Sequence, residues 1–119
     1  MNVLIVDDNQ ASADLLQELL SLYDHTAQCT YTARQALDAA AAGSFDAALI
    51  DLSLPDLPGT EVARRLRESA GEGTPKLLIA ISGFSAQDSS GRASEGLFDH
   101  HLQKPVDIAR LEQILATGG

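Results

Sequence analysis

Val3-Leu4-Ile5-Val6 runs straight into Asp7-Asp8-Asn9, so an unbroken apolar segment stops abruptly on acid. A short run with no polar position reads as a strand buried on both faces, the kind found inside a parallel sheet. The same sentence structure recurs along the chain. Ala47-Ala48-Leu49-Ile50 ends on Asp51, Leu77-Leu78-Ile79-Ala80-Ile81 ends on Ser82, and a weaker run ending in Leu102 precedes Lys104-Pro105. If the runs are parallel strands, all of these polar residues emerge at one sheet edge.

The segments between the runs carry helical spacing. Leu15, Leu16, Leu19, Leu20 and Tyr23 predict the buried face of a first helix, and Ala33, Ala36, Leu37 and Ala40 that of a second. The second opens on Thr32-Ala33-Arg34-Gln35, a capping-box pattern, and closes at Gly43. Val62, Ala63 and Leu66 mark a third helix; Ile108, Leu111, Ile114 and Leu115 mark a last one, with Asp107 placed to cap it. Between Ser85 and Gly96 the Asp, Ser and Gly content predicts a short, mobile fourth helix, and Ser69 to Pro75 reads as an exposed connector.

Strand followed by helix, five times over, predicts a doubly wound α/β layer with a parallel five-stranded sheet. The polarity of the runs suggests their order. Thr26 to Thr30 and Phe98 to Leu102 are mixed and belong at the edges, whereas the apolar runs belong inside. Order 2-1-3-4-5 satisfies this, and its direction reverses between the first and third strands, where ligands bind beyond the carboxyl ends. Asp7, Asp8 and Asp51 end those two strands.

A chain of 119 residues fits one domain, spanning 1–119, with a single core. The formal charge of -9 disfavours nucleic acid or an anionic membrane as direct partner and favours a cation or a basic surface. One cysteine, Cys29, has no internal disulfide partner, and no leader or spanning-length apolar stretch is seen, so a reduced, cytoplasmic location is expected. His25, His100 and His101 lack zinc-ligand spacing, and no Gly-x-Gly-x-x-Gly follows the first strand.

Carboxylates gathered at one edge repel, at roughly 3 kcal/mol per pair at about 5 Å and an effective dielectric near 20. A hard divalent cation offsets this, and Mg²⁺ suits oxygen ligands and is commonly completed by a phosphate oxygen. An aspartate can also attack phosphorus to give an acyl phosphate, with the metal and a lysine neutralising the transferring group. Asp51 is the candidate nucleophile, Asp8 the main metal ligand, Asp7 its helper and Lys104 the counter-ion.

The joint pattern Leu4-Ile5-Val6-Asp7-Asp8-Asn9, Leu49 to Gly59, Ile81-Ser82-Gly83 and Leu102-Gln103-Lys104-Pro105 resembles the receiver domain of two-component response regulators, over essentially the whole chain. The resemblance implies a flavodoxin-like (βα)5 fold in which Asp51 accepts a phosphoryl group from a phosphohistidine of a histidine kinase or histidine phosphotransfer domain. It implies Mg²⁺ held by Asp8, Asp51 and the Ser53 carbonyl, with Asp7 acting through water. It further implies that Lys104, Ser82 and Gly83 contact the phosphoryl oxygens, and that the Lys104-Pro105 bond is cis. Ser82 and the residue at 101 would then form the switch, altering the face of the fourth helix, fifth strand and last helix for a downstream protein or domain.

The chain departs from the family pattern in places. Position 101, usually Tyr or Phe, is His101; with Gly83-Phe84 and Lys104-Pro105-Val106-Asp107 it most resembles receivers attached to hybrid histidine kinases. Leu97 stands where many relatives have glycine, with Gly96 one place earlier, and the small Ser53 and the bulky Phe84 bear oppositely on the lifetime of a phosphoaspartate. Two other classes compete with a phosphorylated switch. An aspartate-nucleophile phosphatase would carry an acid two residues past the nucleophile, where this chain has Ser53, and an unphosphorylated interaction module would not need the complete acidic set.

Overall fold

A computed structural model describes residues 1–52, 54, 56–69, 75, 77–82, 98–103 and 106–116, with the backbone alone for Ser69 and Ser82. Within it run β1 (Asn2–Val6), α1 (Gln10–Leu22), β2 (Thr26–Thr30), α2 (Ala33–Ala42), β3 (Ala47–Asp51), α3 (Gly59–Ser69), β4 (Leu77–Ser82), β5 (His100–Gln103) and a C-terminal helix (Ile108–Ala116). The predicted helix between Ser85 and Gly96 lies outside the described residues, as do Leu97, most of the connector after Ser69, and the Lys104-Pro105 bond.

The five strands form one parallel sheet in the order β2-β1-β3-β4-β5. β1 pairs with β2 from Asn2 with Thr26 to Val6 with Thr30, and with β3 from Val3 with Ala47 to Val6 with Ile50. Burial explains the order: β3 is buried at every position, whereas β2 and β5 alternate with exposed residues. An edge strand has one flank open to water and tolerates polar side chains there.

Successive strand residues point to opposite faces, so one sequence builds two cores. Val3, Ile5, Leu49, Ile79 and Ile81 pack under α1 and the C-terminal helix, meeting Leu16, Leu20, Leu111 and Leu115. Leu4, Val6, Ala48, Ile50 and Leu78 face the other way, against Ala33, Ala36 and Ala40 of α2 and Val62, Ala63 and Leu66 of α3. The alanines on α2 let that helix lie close to the sheet.

One predicted helix face needs correction. α1 buries Ala13, Leu16 and Leu20, while Leu15 is 54% and Tyr23 42% exposed. The apolar spacing is wider than the strip of sheet that α1 covers: Leu15 lies about 100° round the helix from Leu16. Tyr23 caps the helix instead. Beyond it Asp24 takes the left-handed conformation, φ 64, and the N–H groups of Asp24 and His25 return to the carbonyls of Ser21 and Leu20, the Schellman arrangement.

The capping of α2 also differs in one detail. Thr32 Oγ1 accepts from the Gln35 N–H, but the Gln35 side chain reaches back to the N–H of Tyr31, one residue earlier than the box pattern predicts. Asp107 caps the C-terminal helix as expected, accepting from Ala109 and Arg110.

Candidate functional site

β1 and β3 are neighbours in register, Val6 opposite Ile50, so the next residue on each, Asp7 and Asp51, leaves the sheet at the same level. This is where the winding direction of the sheet reverses, and the loops beyond it diverge. The ladder continues past both strand ends: the Asp7 N–H donates to the Thr30 carbonyl and the Leu52 N–H to the Ile81 carbonyl, each at 3.0 Å. Thr30 Oγ1 adds a bond to the Ile5 carbonyl at 2.7 Å. The two acids therefore stand on pinned backbone.

Three acids share the edge. Carboxylate oxygens of Asp7, Asp8 and Asp51 all lie within 4.8 Å of one another. Asp7 and Asp51 are buried, at 1% and 4% exposure, and Asp8 is exposed. At that limiting separation two full charges repel by roughly 3 kcal/mol at an effective dielectric near 20, and the contribution of Asp8 is reduced by water.

Asp-Asp-Asn divides its work. Asn9 is the N-cap of α1, its side chain accepting from the Ser12 N–H at 3.0 Å. Asp7 Oδ1 accepts from the Asn9 N–H at 3.0 Å, a tight turn that swings the chain from strand into helix. Helix capping is thus met by Asn9, and Asp8 is left facing outward beside its two buried neighbours.

The remaining predicted residues divide sharply. Asp51 pairs in register with Ile81, so Ser82 follows one step beyond it on the adjacent strand, and Ser82 pairs with Gln103, the residue before Lys104. His101 lies opposite Ala80 on β5 and is exposed, with the half-buried His100 before it and the buried Leu102 after it. Ser53, Gly83, Lys104 and Pro105 lie outside the described residues. His25 serves elsewhere, its Nε2 2.6 Å from Glu112 of the C-terminal helix.

Two contacts went unseen in the sequence. Gly59 opens α3 so close to β3 that a Cβ there would lie 2.3 Å from the Asp51 carbonyl oxygen and 2.8 Å from Leu52 Cα. Asp56 reaches across to α2, where its carboxylate oxygens accept from the N–H groups of Ala33 and Arg34 at 2.9 and 3.1 Å. The glycine sits in a recognisable turn pattern, but what it must avoid is visible only in three dimensions. The aspartate's partners lie more than twenty residues away and are backbone groups, which leave no mark on sequence.

Chemically, an all-carboxylate donor set is hard and anionic. It fits a small divalent cation such as Mg²⁺ and, having no histidine or cysteine, does not match a structural zinc site.

Comparison with known proteins extends the likeness beyond these acids. Residues 3–116 match the family model for the response regulator receiver domain. The chain is 32% identical over 117 residues to the sensory/regulatory protein RpfC of Xanthomonas campestris pv. campestris, covering 98% of this chain and 16% of that protein. It is 34% identical over 119 residues to the response regulator MprA of Mycolicibacterium vanbaalenii, covering 98% of this chain and 48% of that one. The chain thus spans about a sixth and about half of these relatives. Among solved structures, a CheY-like receiver domain from Methylobacillus flagellatus superposes with a TM-score of 0.89 at 36% identity, covering 100% of this chain and 98% of that one. The response regulator TrrA of Thermotoga maritima, determined with Mg²⁺ and BeF, shares the fold, with a TM-score of 0.84 at 22% identity over 99% of this chain and 98% of that one. A match that runs nearly from end to end, with its acids at the sheet's reversal point, makes this chain a member of the response regulator receiver domains, the phosphoacceptor family of two-component signalling.

Proposed function

We propose that the chain is an Mg²⁺-dependent phosphoacceptor in which Asp51 takes a phosphoryl group from a phosphohistidine on a histidine kinase or phosphotransfer partner. The observation that carries this reading is the meeting of Asp7, Asp8 and Asp51 oxygens within 4.8 Å. An Asp51 oxygen attacks phosphorus, the O–P bond forms as the P–N bond breaks, and the imidazole leaves with the electron pair. Asp8, Asp51 and the Ser53 carbonyl would hold the metal, with Asp7 acting through water. When bound, Mg²⁺ neutralises the carboxylates and draws charge from the phosphoryl oxygens. Lys104, Ser82 and Gly83 would contact those oxygens, the Lys104 ammonium serving as counter-ion.

Ser82 and His101 form the switch. The β4–β5 register, with Ala80 opposite His101 and Ser82 opposite Gln103, puts the two residues on adjacent strands and supports their linkage. The downstream protein or domain reads the surface around β5 and the C-terminal helix. Likeness to receivers of hybrid histidine kinases at His101 and around Lys104 supports a place in a kinase-linked relay, which the encoded flanking sequence tests directly. The net charge of -9 supports protein rather than nucleic acid as that partner. No helix among the described residues is long and apolar enough to cross a membrane.

The test is labelling by a small phosphodonor with and without Mg²⁺. One phosphoryl group, dependent on the metal and lost in Asp51→Asn, is the expected result. Labelling that survives Asp51→Asn rejects Asp51 as acceptor, and turnover of a phosphomonoester would instead favour a phosphatase.

A further inference from the structure

Asp56 lies on the loop between β3 and α3, exposed to water, yet both of its carboxylate oxygens are committed to another element. The N–H groups in the first turn of α2 lack partners within the helix. Ala33 and Arg34 donate theirs to Asp56, at 2.9 and 3.1 Å, and Gln35 donates to Thr32 Oγ1 at 3.1 Å. The cap of α2 is therefore made in two halves, one local and one carried by the acceptor loop. A carboxylate at a helix N-terminus gains from the dipole as well as from charge-assisted bonds.

The other end of the same loop is also held. The Gly59 N–H donates to the Leu52 carbonyl at 3.3 Å, and the missing side chain lets α3 press on the Asp51 backbone. Both anchors lie on the chain that leads away from Asp51.

We infer that Asp56 is a positioning residue, a strap from the β3–α3 loop to the N-terminus of α2 that holds the chain leaving Asp51 in place beside the acidic cluster. The Ala33 N–H bond holds the Asp56 carboxyl below the usual carboxylate range, so the strap stays charged at neutral pH. The metal half of this inference rests on the Mg²⁺ reading of Asp7, Asp8 and Asp51. The loop half does not.

Three variants of the full chain test it: Asp56→Ala, Asp56→Asn and Thr32→Ala. The last weakens the same cap from the helix side without touching the loop. Two quantities are measured, hydrogen exchange of the Gly59 amide without metal, and the Mg²⁺ dissociation constant by titration. Asp56→Ala is expected to speed Gly59 exchange and to weaken Mg²⁺ binding by about tenfold, the usual scale for losing an outer support of a metal site. Asp56→Asn, which keeps one acceptor oxygen, falls between it and wild type. Thr32→Ala is expected to lower stability while changing neither quantity by more than about twofold. The inference is overturned if Asp56→Ala leaves both quantities at wild-type values, or if Thr32→Ala moves them equally, since the strap then matters only as a helix cap. A wild-type chain that binds no Mg²⁺ overturns the metal reading instead, and Gly59 exchange still decides whether the strap holds the loop.

Discussion

Asp51 is 4% exposed and shares its space with two other acids, so its charge is tolerated by the fold only at a cost. Relieving that repulsion should help the metal-free protein: Asp51→Asn is expected to raise unfolding stability by about 1–3 kcal/mol in low-salt buffer with a chelator. The same substitution should abolish the stabilisation expected of Mg²⁺ in the wild type, because only a bound ligand shifts the equilibrium. Paired denaturation curves with and without Mg²⁺ check both halves; an Asp51→Asn protein less stable than wild type in chelator would show that the carboxylate is structurally supported. Gly59 makes the complementary prediction. An added methyl 2.3 Å from the Asp51 carbonyl cannot be accommodated without moving α3 or β3, so Gly59→Ala should cost about 1–3 kcal/mol by overpacking and weaken the proposed Mg²⁺ binding. Denaturant melts that coincide with wild type would show the loop yields freely.

The elements differ in how openly the sequence declares them. β1 and β3 are plain because nothing polar interrupts Val3–Val6 or Ala47–Ile50, and burial on both faces demands that. α1 is legible as a helix but not in its orientation, since Leu15 is as apolar as the buried Leu16 and Leu20, and the Tyr23 ring is largely apolar too. Apolar character alone cannot say how wide a strip of helix the sheet covers. The end of α1 hides another feature, Asp24 at φ 64, where a side chain is unfavourable and a negative charge faces the negative end of the helix. Asp24→Gly is expected to raise stability by about 0.5–1 kcal/mol, seen as a higher denaturant midpoint at unchanged slope. A lower midpoint would mean that the Asp24 side chain contributes more than its backbone conformation costs. The far half of the α2 cap stayed invisible for a different reason: Asp56 is joined to Ala33 and Arg34 by topology, not by spacing.

At the scale of the molecule, strand order followed from polarity because only β2 and β5 can afford exposed residues, and that order brings Asp7 and Asp51 side by side. Residue chemistry identified the acids; parallel pairing of β1 with β3 makes them a cluster. The proposed switch is harder to read in advance, since the response of Ser82 and His101 to a phosphate is a difference between two states and leaves no spacing pattern in the sequence. A switch moved from 1:99 to 99:1 requires the phosphate to favour one state by about 5.5 kcal/mol. The most direct measurement is a titration of the full chain with Mg²⁺ and a beryllofluoride phosphoryl mimic, following backbone amides. The account predicts that Asp8, Asn9, Leu52 and Gly59 shift together with Ser82, His101 and Leu102 in one saturable transition that Asp51→Asn eliminates. Shifts confined to the acidic edge while β5 stays silent, or an unchanged response in Asp51→Asn, would contradict it.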